Sequence, residues 1–200
     1  MNEASKSVFQ KIRDSRYVTR YLVGDGVDIG AGADCLGMYS ELFPLMKSCR
    51  AWDISDGDAQ DMASVPDEYF DFVHSSHCLE HMRNPLVALN NWLRILKPGG
   101  HLVCLVPDED LYEQGIFPST FNSDHKHTFT IYKKRSWSNS SINIFDMIAS
   151  VDCSVEVLKV ELLDSTFRYN MSELSGQNRF DQTTTPIGEC AIEIILKKCI

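Results

Sequence analysis

The run Val27-Asp28-Ile29-Gly30-Ala31-Gly32-Ala33-Asp34 limits what this chain can fold into more than any other, because an apolar strand passes straight into a turn built on two glycines. Glycine allows a tight turn and lets backbone approach a ligand with no Cβ in the way, and the next helix opens its amide-rich N-terminus toward the same space. This is how α/β proteins hold nucleotide-like cofactors. Asp28, Gly30, Ala31 and Gly32 are therefore the first candidate ligand contacts. The third glycine expected for a dinucleotide is replaced by Cys35, and Asp28 adds a negative charge to the run. Both features argue against a pyrophosphate and suit a ligand that carries positive charge and no phosphate.

A second carboxylate, Asp53, ends the next short apolar run, Cys49 to Trp52. At the tip of a neighbouring parallel strand it can accept both hydroxyls of a ribose. With the first motif of the form acidic-x-Gly-x-Gly and this second acidic position, the chain resembles the class I S-adenosylmethionine-dependent methyltransferases. Gly57-Asp58-Ala59-Gln60-Asp61-Met62 is similar to that family's adenine-side segment, Tyr69 to Ser76 to its fourth strand, and Leu96-Lys97-Pro98-Gly99-Gly100-His101-Leu102 to its turn into the fifth. Alone, Asp53 and Asp58 read as loop-capping carboxylates and Lys97 to Gly100 as a helix stop. Their joint order over residues 24 to about 107 carries the resemblance. It implies a Rossmann-like α/β sheet, mostly parallel with an antiparallel last strand, and S-adenosyl-L-methionine as cofactor. The implied contacts are Asp28, Gly30, Ala31, Gly32, Asp53, Ile54, Asp58, Ala59, Ser75 and His77.

Two hundred residues with 44% apolar content suit a single domain spanning 1–200 with a substantial core. A net charge of −9, with Lys133-Lys134-Arg135 as the only basic cluster, disfavours a nucleic-acid partner. Base-modifying relatives of this fold carry Asn/Asp-Pro-Pro-Tyr after the fourth strand, where this chain has Ser75-Ser76-His77-Cys78. Seven cysteines without a Cys-x-x-Cys pair read as reduced core residues of a cytoplasmic protein. No continuous hydrophobic stretch points to a signal peptide or a membrane partner. The expected partner is a small molecule, a sugar among the candidates, and a homodimer is an option for the chain itself.

The pattern predicts an N-terminal helix within 1–22, over about 4 to 21, a strand at 26–30, a helix at 36–47 and a strand at 49–53. The next crossover is too short for its usual helix, so the sheet is trimmed there, with the third strand vestigial or absent. A strand at 69–75, a helix at 85–96 capped by Asn84, and a strand at 101–106 follow. The irregular segments 108–140 and 164–188 are expected as substrate walls, with a short helix at 141–150 and strands at 154–163 and 191–198 pairing antiparallel.

In an open parallel sheet the site forms at the carboxyl ends of the strands. His74, His77, Cys78 and His81 invite a metal reading, but their spacing argues against one, and no metal is expected. Asn122 to Thr130 is more suggestive, because Asp124, His125 and His127 offer a near-neutral imidazole with a carboxylate to orient it, the requirements of a general base. The same residues could equally tie the loop down by hydrogen bonds. Tyr112, Phe121 and Trp137 could wall a flat polar substrate or pack the loop. The run Glu80-His81-x-x-Asn84-Pro85, with Val106-Pro107-Asp108, most resembles methyltransferases of bacterial surface-polysaccharide pathways, which implies O-methylation of a sugar or sugar nucleotide. The alternative is a non-catalytic cofactor-binding or scaffold protein. A nucleotide-linked oxidoreductase is disfavoured by Cys35.

Overall fold

The computed structural model describes residues 3–172, 179–185 and 187–200. Six strands form one sheet: β1 (Gly24–Ile29), β2 (Met46–Trp52), β3 (Phe70–Ser76), β4 (Leu96–Pro107), β7 (Val155–Leu163) and β8 (Ala191–Lys198), in the order β2-β1-β3-β4-β8-β7. β2, β1, β3 and β4 run parallel, while β8 lies antiparallel between β4 and β7. Two short strands, β5 (Thr128–Thr130) and β6 (Ser141–Asn143), pair separately. The Rossmann-like α/β arrangement with an antiparallel last strand is thus present, and no strand intervenes between β2 and β3, which leaves β2 on the edge.

The core lies on both faces of the sheet, as buried strands require. On one face, Val27, Val73, Leu102 and Ile194 pack against Leu89, Trp92 and Leu93 of α2 (Pro85–Arg94) and Met147 of α3 (Ile144–Ala149). On the other, Phe72, Val103 and Ile195 meet Val8 of α1 (Glu3–Lys11), Tyr17, Leu36 and Phe43. Asn84 caps α2, accepting from the amides of Leu86 and Val87, and Pro85 occupies its first position.

Three helices are shorter than the periodicity suggests. α1 stops at Lys11, and a separate wide turn covers Tyr17–Tyr21. The helix expected at 36–47 is a 3₁₀ segment, Leu36–Leu42, because Pro44 removes a donor and disfavours helical backbone at Phe43. The helix expected at 141–150 begins only at Ile144, since Ser141–Asn143 pairs with Thr128–Thr130 and Asn143 is spent as the cap. The irregular segment after β4 is ordered around Glu109, whose buried carboxylate takes Lys133 Nζ at 3.0 Å and Ser136 Oγ at 2.7 Å. The expected wall 164–188 lies partly outside the described residues, at 173–178 and 186.

Candidate functional site

A cavity of about 260 Å³ opens at the carboxyl ends of β1 and β3. Its floor is the glycine turn, Gly30 to Asp34, where Gly30 and Gly32 have φ of +77° and +53°. A Cβ on Gly30 would come within 2.6 Å of Cys78 Cβ, so this turn and the segment after β3 are in contact; a Cβ on Gly32 would meet nothing within 4 Å. Asp28 closes the turn from below. Its Oδ2 accepts from the Leu36 amide at 2.7 Å, and its Oδ1 lies 2.6 Å from Nδ1 of the wholly buried His74. Both carboxylate oxygens are therefore taken by the protein, and Asp28 holds the turn in shape.

Side-chain alternation along β3 decides which of its residues reach the cavity. His74 and Ser76 line it, together with His77 just beyond the strand. Ser75, the expected contact, instead donates its hydroxyl to the Ile29 carbonyl at 3.0 Å and ties β3 to β1. The place expected for Ser75 is filled by Ser76, one residue on.

The remaining walls come from Glu80, His81, Tyr112, Asn122 and His125, with Glu3 and Ala4 of α1 at the rim. His125 is buried and donates from Nδ1 to Glu113 Oε1 at 2.6 Å, while its ring sits 5.0 Å from those of His81 and Tyr112. The carboxylate expected to orient it, Asp124, is largely exposed and faces His81, with Oδ2 3.0 Å from Nδ1. His127 turns away. Its Nε2 meets the Met82 carbonyl at 3.1 Å, and it lines a different depression beside Asn84. Trp137 is also elsewhere, donating to Asp110 at 3.0 Å. Glu113 is not among the residues expected from sequence, although it lies in the expected wall 108–140 next to Tyr112, and that neighbouring wall candidate is the sign that this end of the acidic run turns inward.

Glu80 is the electrostatic centre of the cavity. Its side chain is fully buried, and Oε1 lies 3.5 Å from His77 Nδ1 and 3.8 Å from Nε2 of both His81 and His125. Burial pushes its carboxyl up, but the imidazoles, His77 first, outweigh this and hold it below the usual range. Burial likewise pulls His77 down, and Glu80 and Glu3 more than reverse it. Buried polar groups are normally hydrogen-bonded. Here His74 Nε2, Ser76 Oγ, both Glu80 oxygens and Tyr112 Oη all line one cavity without a hydrogen-bond partner among the described residues.

Outside the cavity, along the same sheet edge, Asp53 follows β2 and uses Oδ1 for the Ile54 amide at 2.7 Å, while Ile54 is 92% exposed. Asp58 is engaged: it accepts from the Gln60 amide and from Arg83 Nη1, both at 2.8 Å, and the Arg83 bond holds it below the usual carboxylate range. The Ala59 carbonyl accepts from Trp92 Nε1 at 2.8 Å.

The methyltransferase domain family model matches residues 13–139. An uncharacterized methyltransferase of Schizosaccharomyces pombe is 34% identical over 59 residues, which is 30% of this chain but only 20% of that protein. Among solved structures, an S-adenosylmethionine-dependent methyltransferase from Archaeoglobus fulgidus superposes with a TM-score of 0.60 at 17% identity, covering 95% of this chain and 93% of its own. The YcgJ protein of Bacillus subtilis gives 0.53 at 14% identity, with 97% and 98% covered. Both structural likenesses are likenesses of fold. On the family match over most of its length, this chain belongs to the methyltransferase domain family, with the class I fold of the S-adenosylmethionine-dependent enzymes.

Proposed function

We propose that this chain transfers a methyl group from S-adenosylmethionine to a polar small molecule, with the hydroxyl of a sugar or sugar nucleotide as the acceptor. One observation carries the reading: unpartnered buried polar atoms of His74, Ser76, Glu80 and Tyr112 converge on a cavity floored by the glycine turn. Each such atom costs about 1–3 kcal/mol without a partner, so their convergence is the signature of a site completed by ligand.

S-adenosylmethionine supplies an electrophilic methyl group on a positively charged sulfur. The cavity, at about 260 Å³, is smaller than the roughly 300–1,000 Å³ usual for a whole ligand, so it suits the amino-acid end of the cofactor and the acceptor's reacting group. Gly30, Ala31 and Gly32 shape its floor. Asp53 is positioned for the ribose hydroxyls, and exposed Ile54 offers the adenine an apolar face. Asp58 and Ala59 border the base through their backbone, since their polar side-chain and carbonyl atoms already serve Arg83 and Trp92. Asp28 and Ser75 act by fixing the turn. His77 lines the cavity, with Glu80 and Glu3 as its partners.

The acceptor's hydroxyl lies against His81, His125 and Glu80, the groups that ease loss of its proton. A polyhydroxylated substrate suits walls of imidazole, carboxylate, amide and phenol. The cytoplasm and a surface-polysaccharide pathway fit the motif resemblance, and all seven cysteines are free thiols.

Isothermal titration with S-adenosylhomocysteine tests the reading. Micromolar binding, weakened at least tenfold by Asp53→Ala and kept by His125→Ala, is expected, with turnover on a hydroxylated sugar lost in the latter. Absence of binding to the folded wild-type chain would overturn it and favour a scaffold.

A further inference from the structure

We propose that Glu80, His81 and His125 bind one divalent transition-metal cation on the acceptor side of the cavity; its catalytic role rests on the methyl-transfer reading, while its geometry does not. One donor atom from each residue lies within 4.8 Å of the other two, and Nε2 of each histidine is 3.8 Å from Glu80 Oε1. Metal–ligand bonds of about 2.0–2.2 Å put neighbouring donors about 3–3.5 Å apart. Side-chain adjustments of less than about 1 Å each bring this triangle to bonding size.

The surroundings of the two imidazoles are those of metal ligands. His125 donates Nδ1 to Glu113 Oε1 at 2.6 Å, and His81 Nδ1 lies 3.1 Å from the Asp124 carbonyl and 3.0 Å from its carboxylate. A hydrogen bond at Nδ1 fixes the ring and the tautomer, leaving Nε2 as the free lone pair. Both free nitrogens face the same carboxylate oxygen. Nothing in a plain loop-fastening role calls for that.

Glu80 supplies the independent observation. It is fully buried, and neither oxygen accepts a hydrogen bond among the described residues. Its ion pairs, 3.5 Å to His77 and 3.8 Å to His81 and His125, all fall on Oε1. A buried carboxylate with no hydrogen bond to either oxygen is unfavourable, and a cation bound at Oε1 between the two imidazoles compensates its charge.

Two nitrogens and one carboxylate suit zinc, manganese or iron better than magnesium, which prefers oxygen ligands and bound water. Three protein ligands leave coordination positions open toward the cavity, where the acceptor's oxygen binds. Coordination there makes the hydroxyl more acidic, so its proton passes to solvent near neutral pH.

The full-length chain, stripped with chelator and dialysed, is titrated calorimetrically with Zn²⁺, Mn²⁺ and Mg²⁺, and separately with S-adenosylhomocysteine. We expect one equivalent of Zn²⁺ or Mn²⁺ to bind, with affinity reduced at least tenfold by Glu80→Gln and by His81→Ala and unchanged by His101→Gln, which lies on β4 away from the cavity. Circular dichroism verifies that each variant is folded, and His81, only partly buried, gives a variant that spares the buried core. Binding weaker than about 100 μM for every ion, or equal binding by wild type and both site variants, would overturn the site. Retained S-adenosylhomocysteine binding without metal binding rejects the metal alone; metal binding without S-adenosylhomocysteine binding rejects the methyl-transfer reading and leaves the metal site standing.

Discussion

At the scale of single residues, Asp108 shows how the loop after β4 is held against an electrostatic penalty. Burial pushes its carboxyl up to about 6, more than the amides of Leu111 and Asp110 pull it down. Its folded pKa is thus above the unfolded value, so the protonated group favours the fold; that contribution is complete below about pH 4 and is lost as pH rises through about 6. At about 1.4 kcal/mol per pKa unit, the ionised form costs the fold on the order of 2–3 kcal/mol at neutral pH. Asp108→Asn keeps the acceptor and removes the charge. It should stabilise the chain by about 1–3 kcal/mol in denaturant unfolding at pH 7.5, with the gain fading near pH 4; destabilisation at pH 7.5 would contradict the assignment. Gly30 is the opposite case, where nothing but glycine fits: its positive φ and the 2.6 Å approach to Cys78 predict that Gly30→Ala unfolds the turn and lowers the melting temperature, while Gly32→Ala, with open space around it, does so less.

Among elements, the segment between β2 and β3 is the informative one. Its shortness was legible in the sequence, because too few residues follow Asp53 for a crossover helix, and the sheet indeed has β2 at its edge. What replaces the helix was not legible. Side chains of α2 take over the backbone bonding: Trp92 Nε1 donates to Ala59, Asn91 Nδ2 to Gln60, and Arg94 to the carbonyls of Met62 and Val65 and to Asp67. Arg94 reads in sequence as one more polar helix-end residue, since its targets lie about thirty positions away. Arg94→Met, which keeps the stem and helix propensity, should cost on the order of 2–4 kcal/mol and weaken cofactor binding, because Met62, one of the residues whose carbonyl it frees, is bonded through its amide to the Asp58 carbonyl at 3.0 Å. An unchanged melting temperature would show that the crossover stands without α2.

For the whole molecule, the parts legible from sequence are those set by local pattern: the glycine turn, the strands of the six-stranded sheet, the capped helix and the acidic residue just after β2. The parts that were not legible depend on contacts between distant segments. His125 was marked as chemically capable, but its partner is Glu113 and its neighbours are His81 and Glu80, all brought together by the loop folding back over β3. Asp124 and His127 looked equivalent to it in sequence, and packing sends one toward His81 and the other toward Met82. The resulting molecule has one sheet edge with two zones, a polar cavity by the glycine turn and an open shelf at Asp53 and Ile54. Amide hydrogen exchange with and without S-adenosylhomocysteine tests whether one cofactor spans both. Slowed exchange at 30–34 and 53–59 together, with β7 and β8 unchanged, is the expected result; protection confined to either zone alone, or to neither, would contradict the account.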